Sequence, residues 1–414
     1  MIVETAAGRV RGATRGAVTA FLGVPYATAD RFGRPRPPEP WPGVREAIAP
    51  GPAAPQTASR LERVMGPQQP EQSEDCLSVN VWRPSAASGP RPVLVFLHGG
   101  GYSSGSGGFA WYGGAVLAER GDLVVVTVNY RLGALGFLRL PEVSEGNLGL
   151  LDQLTALRWV RENIASFGGD PDAVTVAGQS AGAFSILALL SGTAGAAGLF
   201  HRAILQSTPA GMLPRSPEDA VRIGGSYLDV LGVTAGRLHD LPVAELLAAQ
   251  QELARRTARP LDVVPPFQLV ADGELVAADP VTAAGTRAAD GVAILMGTTR
   301  DEAAAFFGLD AASARVTEDQ FLLPMLRLAE LLAEGGNPAW LYRFDWHPDG
   351  SPYGACHCVE LPFVFGDPLP WRDAPMLHGR LPAMLVEEVQ RRWIGFVRHG
   401  DPGWPRGTRH DFTA

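Results

Sequence analysis

The chain has 414 residues, 46% of them hydrophobic and 19% charged, a balance that excludes intrinsic disorder and allows a sizeable core. Its formal net charge of -8 excludes a phosphate-backbone binder, which needs clustered excess cations to release counterions. No nucleic acid is therefore expected as a partner.

All 35 basic side chains are arginine, which fits the codon usage of a GC-rich bacterial genome. The opening MIVETAAGRVRG lacks a charged segment followed by an apolar one, and no apolar run reaches the length of a membrane span. A cytoplasmic protein with no membrane span is expected, folded as one catalytic domain over residues 1–414 with loop and helical insertions. Three cysteines, Cys76, Cys356 and Cys358, are too few for a disulfide framework. Cys356 and Cys358 flank His357, but alternating ligands without a second cluster are a weak metal signal. Neither a metal nor a cofactor is expected.

In chain order, the punctuation at Gly33 to Pro55 and Gln68 to Gln72 reads as long surface loops. Val93 to Leu97 reads as a buried strand closed by His98-Gly99-Gly100-Gly101, and Leu123 to Val128 as a second, because both are short, apolar and carry β-branched valines. Leu151, Leu154, Leu157, Val160 and Ile164 recur at helical spacing between Leu148 and Phe167, and Gly168-Gly169 ends that helix. A strand at Val174 to Ala177 runs into Gly178-Gln179-Ser180-Ala181-Gly182, and Ala183 to Leu190 follows as helix. Later runs at Ala203 to Gln206, Ala293 to Met296 and Trp340 to Phe344 complete the alternation of strand and helix that specifies a mostly parallel α/β sheet.

The pentapeptide around Ser180 carries the chemistry. A serine flanked at two positions by glycine allows a sharp turn from strand to helix, which lifts the hydroxyl above the sheet and sets it at a helix N-terminus. This is the nucleophile elbow of the α/β-hydrolase fold. A serine hydroxyl needs a base to remove its proton, and the tetrahedral oxyanion needs fixed donors worth about 3 kcal/mol each. The donors are expected from the backbone N–H groups of Gly100, Gly101 and Ala181, since glycines let a backbone approach a substrate oxygen closely.

Eight histidines are available as the base: His98, His201, His239, His347, His357, His378, His399 and His410. The chain order of nucleophile, acid and histidine removes His98. Chemistry alone does not rank His357 against His347, His378 or His399, although the apolar Leu361 to Phe365 after His357 favours a loop held against the core.

The chain resembles the type-B carboxylesterases, the family of the cholinesterases and bacterial para-nitrobenzyl esterases. Phe21-Leu22-Gly23-Val24-Pro25-Tyr26-Ala27, Glu74-Asp75-Cys76-Leu77-Ser78-Val79-Asn80-Val81, Asn129-Tyr130-Arg131, Gly149-Leu150-Leu151-Asp152-Gln153 and Phe167-Gly168-Gly169-Asp170-Pro171 carry the resemblance over nearly the whole length. It implies a Ser180–Glu302–His357 triad, with Glu302 drawn from Gly297 to Glu302; by pattern alone Asp301 is an equal candidate. It also implies structural ion pairs of Arg31 with Glu74 and Arg131 with Asp152, and an uncharged small-molecule ester as substrate. Amides, carbamates or a specialised ester would use the same triad. A noncatalytic binding role, known among such proteins, conflicts with an intact triad.

Departures from the family bear on substrate range. Gly308 to Ser313 replaces a helical segment beside the site, which implies a more open gorge. The chain ends soon after Trp404-Pro405, without the final strand and helix usual there. Gln179 stands where many relatives carry glutamate, and no tryptophan lies between Arg60 and Glu74 to stack on a quaternary ammonium. Cys76 lacks its usual upstream partner because Ala54 stands in the matching segment, so no disulfide is implied. The sequence does not fix the oligomeric state.

Overall fold

The computed structural model describes residues 1–86, 89–192 and 196–413. Val124–Val128 is buried along its whole length, as a β-branched run is when both faces of a sheet are covered. It belongs to a ten-stranded sheet with the spatial order Arg409–Phe412, Trp340–Phe344, Ala293–Thr299, Arg202–Gln206, Gly169–Gln179, Arg91–Leu97, Val124–Val128, Ser78–Pro84, Val18–Pro25 and Ala13–Arg15. The first seven pair in parallel, and the last three continue the sheet antiparallel.

Side chains along Arg91–Leu97 alternate between the two faces of the sheet. Val93, Val95 and Leu97 join a core shared with the helices Leu148–Asn163 and Ala181–Ser191, while Leu94 and Phe96 join one shared with Ala115–Gly121 and Ala383–His399. Each large side chain buried this way contributes about 1.5–3 kcal/mol. The helix Ala181–Ser191 is buried on every side, which its sequence allows because it carries no charged residue. This is the α/β-hydrolase arrangement that the strand–helix alternation specifies.

Arg91–Leu97 pairs with Val124–Val128 on one edge and with Gly169–Gln179 on the other, so chain order reverses there. In open α/β sheets a ligand crevice forms beyond the carboxyl ends of strands at such a point. Gly99 and Ser180 both lie at those ends.

The structure alters several expected boundaries. The helix from Leu148 stops at Asn163 and passes into a 3-10 turn over Ile164–Phe167, capped by Gly168 at φ 79°. The following strand begins early, at Gly169, with an irregularity before Val174. Within the stretch read as loop, Val44–Glu46 pairs with Gly8–Arg11 in a small separate sheet. Arg409–Phe412 does form a final edge strand, contrary to the expectation that the chain lacks one. Gly308 to Ser313 is also more than a short connection. Asp310 caps a helix Ala311–Thr317 through a reciprocal bond with Ser313, and a π-helical turn Glu318–Leu322 leads on into the helix Leu323–Glu334. Among the described residues no helix is long and apolar enough to cross a membrane.

Candidate active site

Ser180 sits at φ 55° and ψ -121° between Gly169–Gln179 and Ala181–Ser191. That conformation is strained for any residue with a Cβ and is held from several sides. The Ser180 N–H donates to the Gln206 carbonyl at 2.9 Å. A Cβ on Gly182 would stand 2.1 Å from the Leu97 oxygen, and one on Gly178 would stand 2.6 Å from the Gly182 carbonyl carbon. Both flanking glycines are therefore sites of close backbone approach.

The loop after Arg91–Leu97 packs against this turn. Gly100, at φ 112°, directs its carbonyl into the loop, where the N–H groups of Ser103 and Ser104 both donate to it at 3.1 Å. The backbone N–H groups of Gly100, Gly101 and Ala181 meet no acceptor among the described residues, and all three residues line the same cleft as Ser180. His98 is buried behind this loop: its ring stacks on Tyr130 at 4.3 Å and burial depresses its pKa to about 4, so it stays neutral. Asn129, Tyr130 and Arg131 brace this end of the sheet. Asn129 Oδ1 accepts from Gly107 N–H at 2.8 Å, Tyr130 O–H donates to the His98 carbonyl at 2.7 Å, and Arg131 pairs with buried Asp152 at 2.7 Å. The second expected pair, Arg31 with Glu74, forms at 2.5 Å.

Glu302 and His357 are fully buried and are brought together across 55 residues. A β-bridge between Asp301 and Cys356, with His357 N–H donating to the Glu302 carbonyl at 3.3 Å, aligns the two segments. Glu302 Oε2 then accepts from His357 Nδ1 at 2.5 Å, and Oε1 accepts from Thr299 N–H at 2.8 Å. The Asp301 carboxylate turns elsewhere, to Ala355 N–H at 2.9 Å and to Arg300 at 2.8 Å. Geometry thus separates two neighbours that the sequence pattern leaves equal.

With Nδ1 donating to Glu302, His357 Nε2 is left as an acceptor, and it takes the Gln179 amide N–H at 3.1 Å. No hydrogen bond joins it to Ser180 Oγ. Phe306 and Phe321 flank the imidazole, with ring centroids 5.5 and 5.3 Å away. His347 bonds to the Pro348 carbonyl, His410 stacks on Trp404, and His399 ends a helix, and none of the three lines the cleft that holds Ser180. The three cysteines are buried free thiols, and no group of three metal-type ligands assembles among the described residues.

Four features of the site are not legible in the sequence. The pattern marks Gln179 only by the charge it lacks, whereas in the fold it contacts His357. Phe306, Phe321 and Glu360 carry no local signal, since only the tertiary fold brings them near the imidazole. Glu360 is fully buried, accepts from Gln206 Nε2 at 3.2 Å through Oε1, and has no partner for Oε2. Burial first, and then the charge of Glu302, raise its pKa to about 7.

Above Ser180 opens a cleft of about 710 Å³ with apolar walls that include Met212, Pro265, Phe306 and Phe321. A second cleft of about 360 Å³ adjoins it at Gly100 and Ser104 and reaches Gln179, Trp111 and Tyr112. Strained serine, buried carboxylate–imidazole pair, unpaired N–H donors and cleft together suit acyl transfer.

The model of the carboxylesterase family matches residues 1–319 and 309–410. The chain is 44% identical to a probable N-octanoylanthranilate hydrolase of Rhodococcus erythropolis, over 97% of this chain and 94% of that one. It is 39% identical to a para-nitrobenzyl esterase of Bacillus subtilis, over 98% and 92%. A solved para-nitrobenzyl esterase structure superposes with a TM-score of 0.91 at 35% identity, covering 99% of this chain and 95% of the other.

Proposed function

Because this chain belongs to the carboxylesterase family and is a serine carboxylesterase, we propose that it hydrolyses short- to medium-chain uncharged esters through a Ser180–His357–Glu302 triad. The observation that carries the reading is the 2.5 Å contact of Glu302 with His357 Nδ1. It fixes the tautomer whose Nε2 accepts a proton.

In the first step Gln179 releases Nε2, which takes the Ser180 proton as Oγ attacks the ester carbonyl. The oxyanion is met by the N–H groups of Gly100, Gly101 and Ala181, which line the cleft beside Ser180 and have no other acceptor among the described residues. Glu302 stabilises the imidazolium, which then protonates the departing alcohol. Water, activated by the same imidazole, hydrolyses the acyl-enzyme and restores Ser180. The largely apolar cleft suits an uncharged acyl chain.

Ser180→Ala tests the reading, since alanine fits the elbow and removes only the nucleophile. Hydrolysis of nitrophenyl esters should fall to background with the melting temperature preserved, and turnover within tenfold of the parent would reject it. A second reading, hydrolysis of an N-acyl amide by the same residues, is favoured by the relative named for its action on N-octanoylanthranilate. Matched octanoyl esters and anilides assayed side by side distinguish the two.

A further inference from the structure

The cleft above Ser180 is not uniformly apolar. Arg60, Arg255 and Arg259 line it, against a single carboxylate, Asp262. Arg255 is paired with Glu252 at 2.7 Å. Arg60 and Arg259 have no carboxylate partner among the described residues. An excess of cation at the cleft is notable in a chain whose formal net charge is -8.

Arg60 is the better placed of the two. Its guanidinium covers the Phe306 ring at 5.6 Å, and Phe306 in turn lies 5.5 Å from the His357 ring. Only two long contacts hold it, to the carbonyls of Val263 at 3.5 Å and Asp262 at 3.4 Å. Arg60 is exposed at the rim of the cleft, part-burial disfavours its charge with Asp262 giving some relief, and an arriving anion would meet a guanidinium that no carboxylate neutralises. A planar guanidinium with unspent donors can take a carboxylate through two parallel hydrogen bonds.

We propose that Arg60, seconded by Arg259, is a specificity residue that extends the substrate range to esters whose alcohol half carries a carboxylate. The placement follows from the triad assigned above, on which this inference rests. The imidazole gives its proton to the departing oxygen, so the alcohol leaves past the ring neighbours of His357. Phe306 is one of these, and Arg60 caps it. Neutral esters remain substrates through the apolar walls, and the guanidinium adds a second class by recognising charge at a distance from the scissile bond.

The test uses two hexanoate esters, of 3-hydroxybenzoate and of 3-hydroxybenzamide, which have similar shape and differ in charge. The ratio of their kcat/KM values is measured for the parent, R60Q, R60K and R259Q, so intrinsic leaving-group reactivity cancels between enzymes. The carboxylate-to-carboxamide ratio should fall at least fivefold in R60Q, and by smaller factors in R60K, which keeps the charge but loses the planar fork, and in R259Q. The amide ester should change less than twofold in all three. A ratio unchanged in R60Q and R259Q would overturn the proposal, while a parent enzyme inactive on both esters would overturn the triad reading instead. Should R60Q fail to fold, R259Q and R60K still decide: an unchanged ratio in R259Q at low salt counts against the anion site.

Discussion

Gln179 Nε2 stands 3.1 Å from His357 Nε2, so the residue before the serine, and not the serine itself, bonds to the imidazole. Gln179→Glu keeps the shape and adds a negative charge at that contact. An opposite charge so close favours the protonated ring, and the triad works only with the ring neutral at the start. The acid limb of the kcat/KM profile on a neutral ester should move to higher pH by about one unit or more. An unmoved limb would mean that Gln179 faces away from the imidazole in the working enzyme.

Glu302 and Asp301 are adjacent in sequence, but only Glu302 reaches His357. Glu302→Ala should lower kcat on the order of 10³-fold or more, and His357→Ala further still, because triad members act as a unit. Asp301→Asn should cost less than tenfold, through a weaker hold on Ala355. The reverse ranking of the two acids would reject the assignment.

Glu360 supplies a pH dependence of stability. Burial raises its pKa from an ordinary 4.5 to about 7, so the folded state holds this proton more tightly than the unfolded chain does. The stabilisation is fully present below the unfolded value, declines as pH rises through the folded one, and is gone above it. Glu360→Gln removes that dependence. Relative to the parent, the variant should gain melting temperature between about pH 5 and about pH 8, and parallel curves for the two proteins would contradict the ionisation of Glu360.

Choline esters should be poor substrates. Gln179 is neutral, Arg60 and Arg259 oppose a cation, and the 61–73 segment offers no tryptophan. A neutral dimethylbutyl ester should exceed the choline ester of the same acid at least tenfold in kcat/KM, about 1.4 kcal/mol in transition-state binding. A faster choline ester would reveal a cation site.

Features set by local geometry were readable in the sequence, and those set by distant contacts were not. The Trp340–Phe344 strand forms with the expected bounds, because a short, largely aromatic run between turns has few alternatives. The antiparallel strands of the N-terminal part are not legible in the sequence, since Ala13–Arg15 and Ser78–Pro84 carry polar residues that only pairing explains. At the site, the Ser180 elbow and the glycine loop follow from their own residues. The choice of Glu302 over Asp301 needed the family resemblance, because the deciding bridge to Cys356 spans a long stretch of chain. No local pattern announces the amide of Gln179 or the ring of Phe321.

The π-helical turn Glu318–Leu322 joins the catalytic wall to the scaffold. Behind it, Met325, Leu328, Leu331 and Leu332 face the interior, while within it Phe321 packs beside His357. Phe321, Met325, Leu328 and Leu332 stand at i, i+4, i+7 and i+11, the spacing of one helical face. The ring that flanks the imidazole is therefore the end member of a core stripe, and the packing that buries the stripe also sets the ring. A change that loosens Leu328 or Leu332 should accordingly reach the catalytic wall as well as the core.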